Sequence, residues 1–308
     1  MNVTKVPQLM PLETSAKALM TVMPCLLFLY INSVMVFALL KKPFFMDSPR
    51  YVLFGHLLFT DSLQLLLCMM LYLFAVTQVR MITHVCIIVT QFAVVTIKIS
   101  PLNLAVMSLE RYVAICFPLR HSTIATSRTT RIAIAVMWTV ASLDSFTQLF
   151  LFISLEKTGF TTQGFCIISN VFQLQVYMTV NRAFTIVNFV LVSLIIIYTY
   201  VALVVTVRSA SFHARNANKA HRTVLLHLLQ FCLCLVSTLF SMINSASLLN
   251  VNPSIALHIQ YVLFVGLIIF PKCLSPLIYG LRDQTFRCVF IYYFTFGSKS
   301  TVESHPRS

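Results

Sequence analysis

The sequence contains few charged residues and little glycine. Only 10% of its 308 residues are Asp, Glu, Lys or Arg, whereas about a quarter is usual in a soluble domain. Glycine occurs 6 times, beside 26 Phe. The scarcity of charge excludes an ordinary soluble enzyme, and the Phe content excludes a disordered or collagen-like chain. The sequence is instead 58% hydrophobic, as expected of an integral membrane protein.

Seven apolar stretches are long enough to cross a bilayer as helices. Roughly 20 residues, rising about 1.5 Å each, cross about 30 Å of hydrocarbon. No alternation of period two competes with them, so a barrel is not predicted. We therefore predict an all-α bundle in residues 18–281, between an N-terminal segment 1–17 and a tail 282–308. The predicted spans are residues 18–40, 51–76, 85–116, 130–153, 177–208, 219–247 and 257–280.

Basic residues orient the predicted bundle. With an extracellular N-terminus, the cytoplasmic segments hold 14 Lys and Arg residues and the outer segments hold 4. This bias follows the positive-inside rule. The net charge of +14 then reflects topology and contact with anionic lipids, so nucleic acid is not a predicted partner. We predict a multi-pass protein of the plasma membrane.

Two short segments outside the spans carry further predictions. Asn2 begins an Asn-Val-Thr sequon in the outer N-terminal segment, which predicts glycosylation. Residues 285–296, TFRCVFIYYFTF, mix basic and aromatic side chains after the last span. That composition predicts a short amphipathic helix at the membrane interface. Cys288 within it is either acylated or simply buried.

Two of the nine cysteines are placed to form a disulfide. Seven cysteines lie in or beside predicted spans, where cysteine commonly serves as a small hydrophobic side chain. Cys86 opens the third span on the outer side, and Cys166 lies in the outer loop between spans four and five. Both face an oxidising compartment. We predict that they bond and hold this loop over the bundle.

Four ionisable residues lie well inside predicted spans, away from the cytoplasmic ends: Asp61, Lys98, Asp144 and Lys272. An unpaired charge at the bilayer centre costs at least ~2.5 kcal/mol, so each needs a partner or a wet cavity. Counted from the cytoplasmic ends, Asp61 and Lys272 lie ~15 Å deep and the other two ~20 Å deep. Equal depth predicts the pairs Asp61–Lys272 and Lys98–Asp144. Alternatively, one or more of them faces water or backbone carbonyl groups.

Several short sequence motifs occur at the ends of the predicted spans. Span three ends MSLERYVAICFPL (107–119), span six opens KAHRT (219–223), and span seven ends PLIYGLRD (276–283). Asn32 and Asp61 supply the polar residues of spans one and two, and Cys86 lies 25 residues before Arg111. Over nearly its whole length the chain resembles the odorant receptors among the rhodopsin-like G-protein-coupled receptors. It departs from the family pattern at Ser275, where the family has asparagine.

The resemblance implies a switch at the cytoplasmic end of the bundle. There Arg111 would contact Glu110 and polar groups of span six, and would turn toward tyrosines of spans five and seven when span six moves outward. The opened groove would accept a helix of a heterotrimeric G protein, of the olfactory or stimulatory type. The implied switch residues are Glu110, Arg111, Tyr112, Tyr200 (alternatively Tyr198) and Tyr279.

The resemblance also implies a small-molecule site in the outer half of the bundle, under the Cys166 loop. The implied ligand is an odorant, and no cofactor or metal is predicted. Lys98 is also a candidate partner for an anionic ligand, if Asp144 does not bind it. The candidate lining residues are Thr90, Val94, Val95, Lys98, Asn181, Phe184, Thr185, Asn188, Ser241, Ser245 and Tyr261.

Other functions fit the sequence less well. A non-olfactory rhodopsin-like receptor for a small molecule is the main alternative. A retinal pigment would need its lysine seven residues before the span-seven proline, whereas Lys272 precedes Pro276 by four. A transporter would show repeated halves, and seven spans without a repeat do not. No phosphate loop, metal-spaced cluster or nucleophile motif predicts a catalytic residue.

Overall fold

The computed structural model describes five parts of the chain. They are residues 11–77, 80–155, 163–165, 175–209 and 284–295, together with the single positions 229, 232, 236, 262 and 266. Predicted spans six and seven lie outside these residues apart from the single positions. Lys272, Tyr279, Ser241, Ser245, Tyr261, Cys166 and Asn2 lie outside them as well.

Five helices in the described parts are long and apolar enough to cross a membrane. They extend past the predicted spans by about a turn or less, except that the first helix begins at Pro11 and its apolar part at Leu19. The five are called span one to span five below. Their bounds are Pro11–Leu40, Pro49–Val76, Thr83–Cys116, Ser127–Leu155 and Gln175–Ser209.

Short helical segments join the spans on the cytoplasmic side. Pro43–Asp47 connects spans one and two, and Pro49 then starts span two, because proline fits the first turn of a helix. After span three the chain forms a 3-10 turn, Pro118–Arg120, and the short helix His121–Ile124. These tight connections keep consecutive helices next to one another.

On the outer side the structure contains two short strands that the all-α prediction omitted. Arg80–Ile82 pairs antiparallel with Gln163–Phe165, and Arg80 stands opposite Phe165. The first strand leads directly into span three, and the second belongs to the loop after span four. The pair therefore ties that loop to the outer end of span three.

The helix after the last span packs against the cytoplasmic half of the bundle. It runs from Gln284 to Phe294, within a turn of the predicted interfacial segment. Phe286 is fully buried, and its ring lies 5.9 Å from that of Phe45 and 5.4 Å from that of Phe54. These contacts join the interfacial helix to span two and its preceding turn.

Candidate functional site

A buried ion pair joins span three to span four. The Lys98 ammonium donates to the Asp144 carboxylate, and both side chains are almost completely buried. These are the two residues whose equal depth predicted a pair. The contact accounts for two intramembrane charges that would each be costly alone.

Two glutamines extend this pair into a polar chain. Gln148 Nε2 donates to Asp144 Oδ1 at 2.8 Å, and Gln91 Nε2 donates to Gln148 Oε1 at 3.1 Å. Asp144 thus accepts hydrogen bonds at both oxygens. A carboxylate satisfied in this way is far less costly inside a bundle than a bare one.

Span five contacts the same lysine through two asparagines. Lys98 Nζ lies 3.3 Å from Asn181 Oδ1, and Asn188 Nδ2 lies 3.5 Å from the Lys98 backbone oxygen. Phe184 and Thr185 lie between them and are half-buried. Spans three, four and five therefore meet at a polar cluster in an otherwise apolar bundle.

The other predicted lining residues of span three lie on its packed side. Thr90 is buried and bonds the Cys86 carbonyl at 2.7 Å. Val95 is also buried, and Val94 is half-buried. The predicted lining residues of spans six and seven, Ser241, Ser245 and Tyr261, lie outside the described residues.

A second polar cluster lies closer to the cytoplasm. Ser100 Oγ donates to Asp61 Oδ1 at 2.6 Å, and both side chains are buried. Asn32 of span one donates to Ser62 at 3.2 Å. Because Lys272 is outside the described residues, the pair of Asp61 with Lys272 stays a prediction.

At the cytoplasmic end of span three, one carboxylate contacts two basic side chains. Glu110 Oε2 lies 3.5 Å from Arg111 Nε, and Glu110 Oε1 lies 3.3 Å from His121 Nε2. His121 belongs to the short helix after span three. The carboxylate therefore links the end of the span to the loop that follows it.

The predicted tyrosines of this end are only partly brought together. The rings of Tyr112 and Tyr198 lie 5.8 Å apart in an edge-on contact. Tyr200 is half-buried two positions further along span five, and Tyr279 lies outside the described residues. Tyr198, the alternative to Tyr200, is thus the span-five tyrosine that contacts Tyr112.

Comparison with known proteins agrees with this arrangement. The profile of the family described as "7 transmembrane receptor (rhodopsin family)" matches residues 15–279. The chain belongs to the rhodopsin family of seven-transmembrane receptors. It is 34% identical over 267 residues to Odorant receptor 131-2 of Danio rerio, covering 86% of this chain and 82% of the relative. It is 28% identical over 258 residues to Olfactory receptor-like protein COR2 of Gallus gallus, covering 80% of each.

Membership of the rhodopsin family establishes several general properties of this receptor. It is a helical bundle and a multi-pass protein of the plasma membrane, and its family consists of receptors rather than enzymes. The matched region runs through all five described spans and into predicted span seven. The clusters at Lys98 and Glu110 therefore lie in the outer and cytoplasmic halves of a receptor bundle.

At the outer end of span three, Cys86 is disulfide-bonded. Its predicted partner, Cys166, lies outside the described residues. It directly follows Phe165, however, and Phe165 pairs with Arg80 in the outer strands. The disulfide Cys86–Cys166 remains a prediction, and this register favours it.

Sequence reasoning missed several polar partners in these clusters. Gln148 lies one helical turn after Asp144, and Gln91 lies two turns before Lys98, so helical spacing could have found both. His121 gave no such signal, because its approach to Glu110 depends on the turn after span three. His56 of span two also accepts a hydrogen bond at Nε2, from Trp138 of span four at 3.0 Å.

Proposed function

We propose that this receptor detects odorants. A small molecule enters the outer half of the bundle, and a heterotrimeric G protein is activated at the cytoplasmic face. The observation that carries this proposal is the similarity to Odorant receptor 131-2, because it extends over 86% of the chain and so includes both ends of the bundle. The relatives reported above are odorant or olfactory receptors, which does not favour a non-olfactory receptor.

The ligand site in this proposal lies between spans three, five, six and seven. The polar cluster at Lys98, Asn181 and Asn188 supports it, since ligand pockets are mostly apolar with a few polar groups that orient the ligand. The Cys166 loop, held by the predicted disulfide, covers this site. The proposed lining residues are Thr90, Val94, Lys98, Phe184, Asn188, Ser241, Ser245 and Tyr261.

The coupling site in this proposal is the Glu110 cluster. With its carboxylate bound to Arg111 and His121, the cytoplasmic end of span three is held in a resting arrangement. A ligand that binds the open arrangement better shifts the population toward it. Arg111 is then free to turn toward Tyr200 or Tyr198 and Tyr279, and the groove binds a helix of the G protein.

Signalling in cells tests this function. The receptor is expressed with an olfactory-type stimulatory G protein, and cyclic AMP is measured across a panel of volatile and water-soluble compounds. We expect at least one compound to raise cyclic AMP in the wild type. Arg111→Ala, matched for surface level, is expected to lose the response. A response that survives in Arg111→Ala would contradict the coupling site, and silence across the panel would contradict odorant detection.

Two surface features complete the proposal. Asn2 carries a glycan outside the cell, which digestion with a glycosidase and a shift on a gel would detect in the wild type but not in Asn2→Gln. The cytoplasmic basic residues, among them the exposed Lys41 and Lys42 at the end of span one, contact anionic lipid headgroups.

A further inference from the structure

The Lys98 side chain extends toward the outer end of the bundle. Its backbone oxygen lies beside Asn188, whereas its ammonium lies beside Asn181. Asn181 is seven residues nearer the outer end of span five, or about 10 Å along the helix. The ammonium therefore lies on the outer side of its own backbone, in the half of the bundle that a ligand enters.

This region contains few charges of any kind. The described residues bury three charged side chains, Asp61, Lys98 and Asp144, and Asp61 lies to the cytoplasmic side with Ser100. Arg182 follows Asn181, but its side chain is exposed. The outer halves of predicted spans six and seven, residues 234–247 and 257–268, contain no Asp, Glu, Lys or Arg. Among the described residues, Lys98 and Asp144 are thus the buried charges in the outer half of the bundle.

We propose that Lys98 and Asp144 cancel each other's charge and thereby select uncharged ligands. An ammonium or carboxylate ligand would have to leave water for a region whose two fixed charges already satisfy one another, and such a transfer is costly. A ligand carrying the same carbon skeleton with an aldehyde or ketone group avoids that cost. This inference rests on the proposed odorant-receptor function and adds the chemical class of the ligand.

Asn181 supplies the polar contact that such a ligand needs. Its Oδ1 accepts from Lys98, and no described residue accepts a hydrogen bond from its Nδ2. The residue is exposed, and its amide lies beside the pair. It can donate to a carbonyl or ether oxygen. The ligand class is therefore uncharged molecules with at least one hydrogen-bond acceptor.

Neutralising one member of the pair should replace the preference for uncharged ligands by a preference for ligands of one predictable charge. The probes are matched triplets, in which an aldehyde, a carboxylic acid and a primary amine share one linear, branched or aromatic skeleton. We expect wild-type cyclic AMP responses to favour aldehydes. Lys98→Met leaves the carboxylate and should make amines at least about tenfold more potent, whereas Asp144→Asn leaves the ammonium and should do the same for carboxylic acids. Lys98→Met with Asp144→Asn should restore the preference for aldehydes.

Control variants make each outcome decisive. If the single variants do not reach the surface, the exchanged pair Lys98→Asp with Asp144→Lys keeps the charges cancelled and should still favour aldehydes. A wild type that prefers a charged probe, or single variants that keep the wild-type order, would overturn the inference but not odorant detection. If the wild type gives no response, a response of Lys98→Met to amines and of Asp144→Asn to carboxylic acids would still support charge cancellation by the pair. Silence of all variants counts against both proposals.

Discussion

His121 Nε2 lies 3.3 Å from Glu110 Oε1, so the loop after span three is joined directly to the residue beside Arg111. The other oxygen of the same carboxylate lies 3.5 Å from Arg111. Both oxygens of Glu110 are thus engaged, one within the span and one with the loop. Movement of this loop and release of Arg111 are therefore expected to be coupled.

The first prediction concerns basal signalling. Glu110→Gln removes the carboxylate that holds Arg111 and His121, because a neutral amide attracts the Arg111 guanidinium less strongly and is a weaker hydrogen-bond partner for His121. A loss of about 1.4 kcal/mol from the resting state corresponds to roughly a tenfold rise in the active fraction. We expect basal cyclic AMP to rise by up to that factor, measured per receptor at the cell surface. Equal basal signalling in Glu110→Gln and wild type would contradict the resting role of this carboxylate.

His121→Phe tests the contact between His121 and Glu110 separately from the contact between Glu110 and Arg111. It removes the loop contact and leaves the Glu110–Arg111 pair in place. We expect a smaller rise in basal signalling than in Glu110→Gln. Since Arg120 is the neighbouring basic residue and its side chain makes no described contact with Glu110, Arg120→Gln serves as a matched control. A larger effect from Arg120→Gln than from His121→Phe would show that loop charge, rather than this contact, holds the resting state.

The second prediction concerns stability at the Lys98–Asp144 pair. Removing one partner leaves a buried charge alone, which typically costs about 3–5 kcal/mol. Lys98→Met and Asp144→Asn should each lower the melting temperature of the detergent-purified receptor, and the double variant should recover much of the loss. A double variant as unstable as the sum of the two single variants would mean that the residues do not stabilise one another.

The fold and part of the site can be predicted from the sequence alone, and particular residues show why. Span length and basic loops depend on composition, so the five described helices match their predicted positions closely. Depth along a helix also follows from counting residues, so equal depth predicts the Lys98–Asp144 pair that the structure contains. The choice between Tyr198 and Tyr200 depends on the rotation of span five about its axis. His121 depends on a turn, and neither rotation nor turn geometry follows from apolar periodicity.

The third prediction concerns the cytoplasmic cluster around Asp61. Ser100→Ala removes a hydrogen bond to a buried carboxylate, which is typically worth about 1.5–3 kcal/mol. We expect a lower melting temperature, whereas Ser108→Ala is the matched control because its hydroxyl bonds mainly to its own helix. Lys272→Met should also reduce surface level and signalling if Lys272 pairs with Asp61. Unchanged expression and signalling in Lys272→Met would argue against that pair.

The fourth prediction concerns the bond made by Cys86. If its partner is Cys166, then Cys86→Ser, Cys166→Ser and the double variant should lose similar stability, typically about 2–4 kcal/mol, because each removes one and the same crosslink. Surface level and melting temperature measure this loss, and peptide mapping without reduction identifies the bonded pair directly. Cys68→Ser is the matched control, since Cys68 lies in span two and is not disulfide-bonded. A Cys86 peptide linked to any other cysteine would refute the predicted pairing, while the outer strands Arg80–Ile82 and Gln163–Phe165 would still hold the loop against span three.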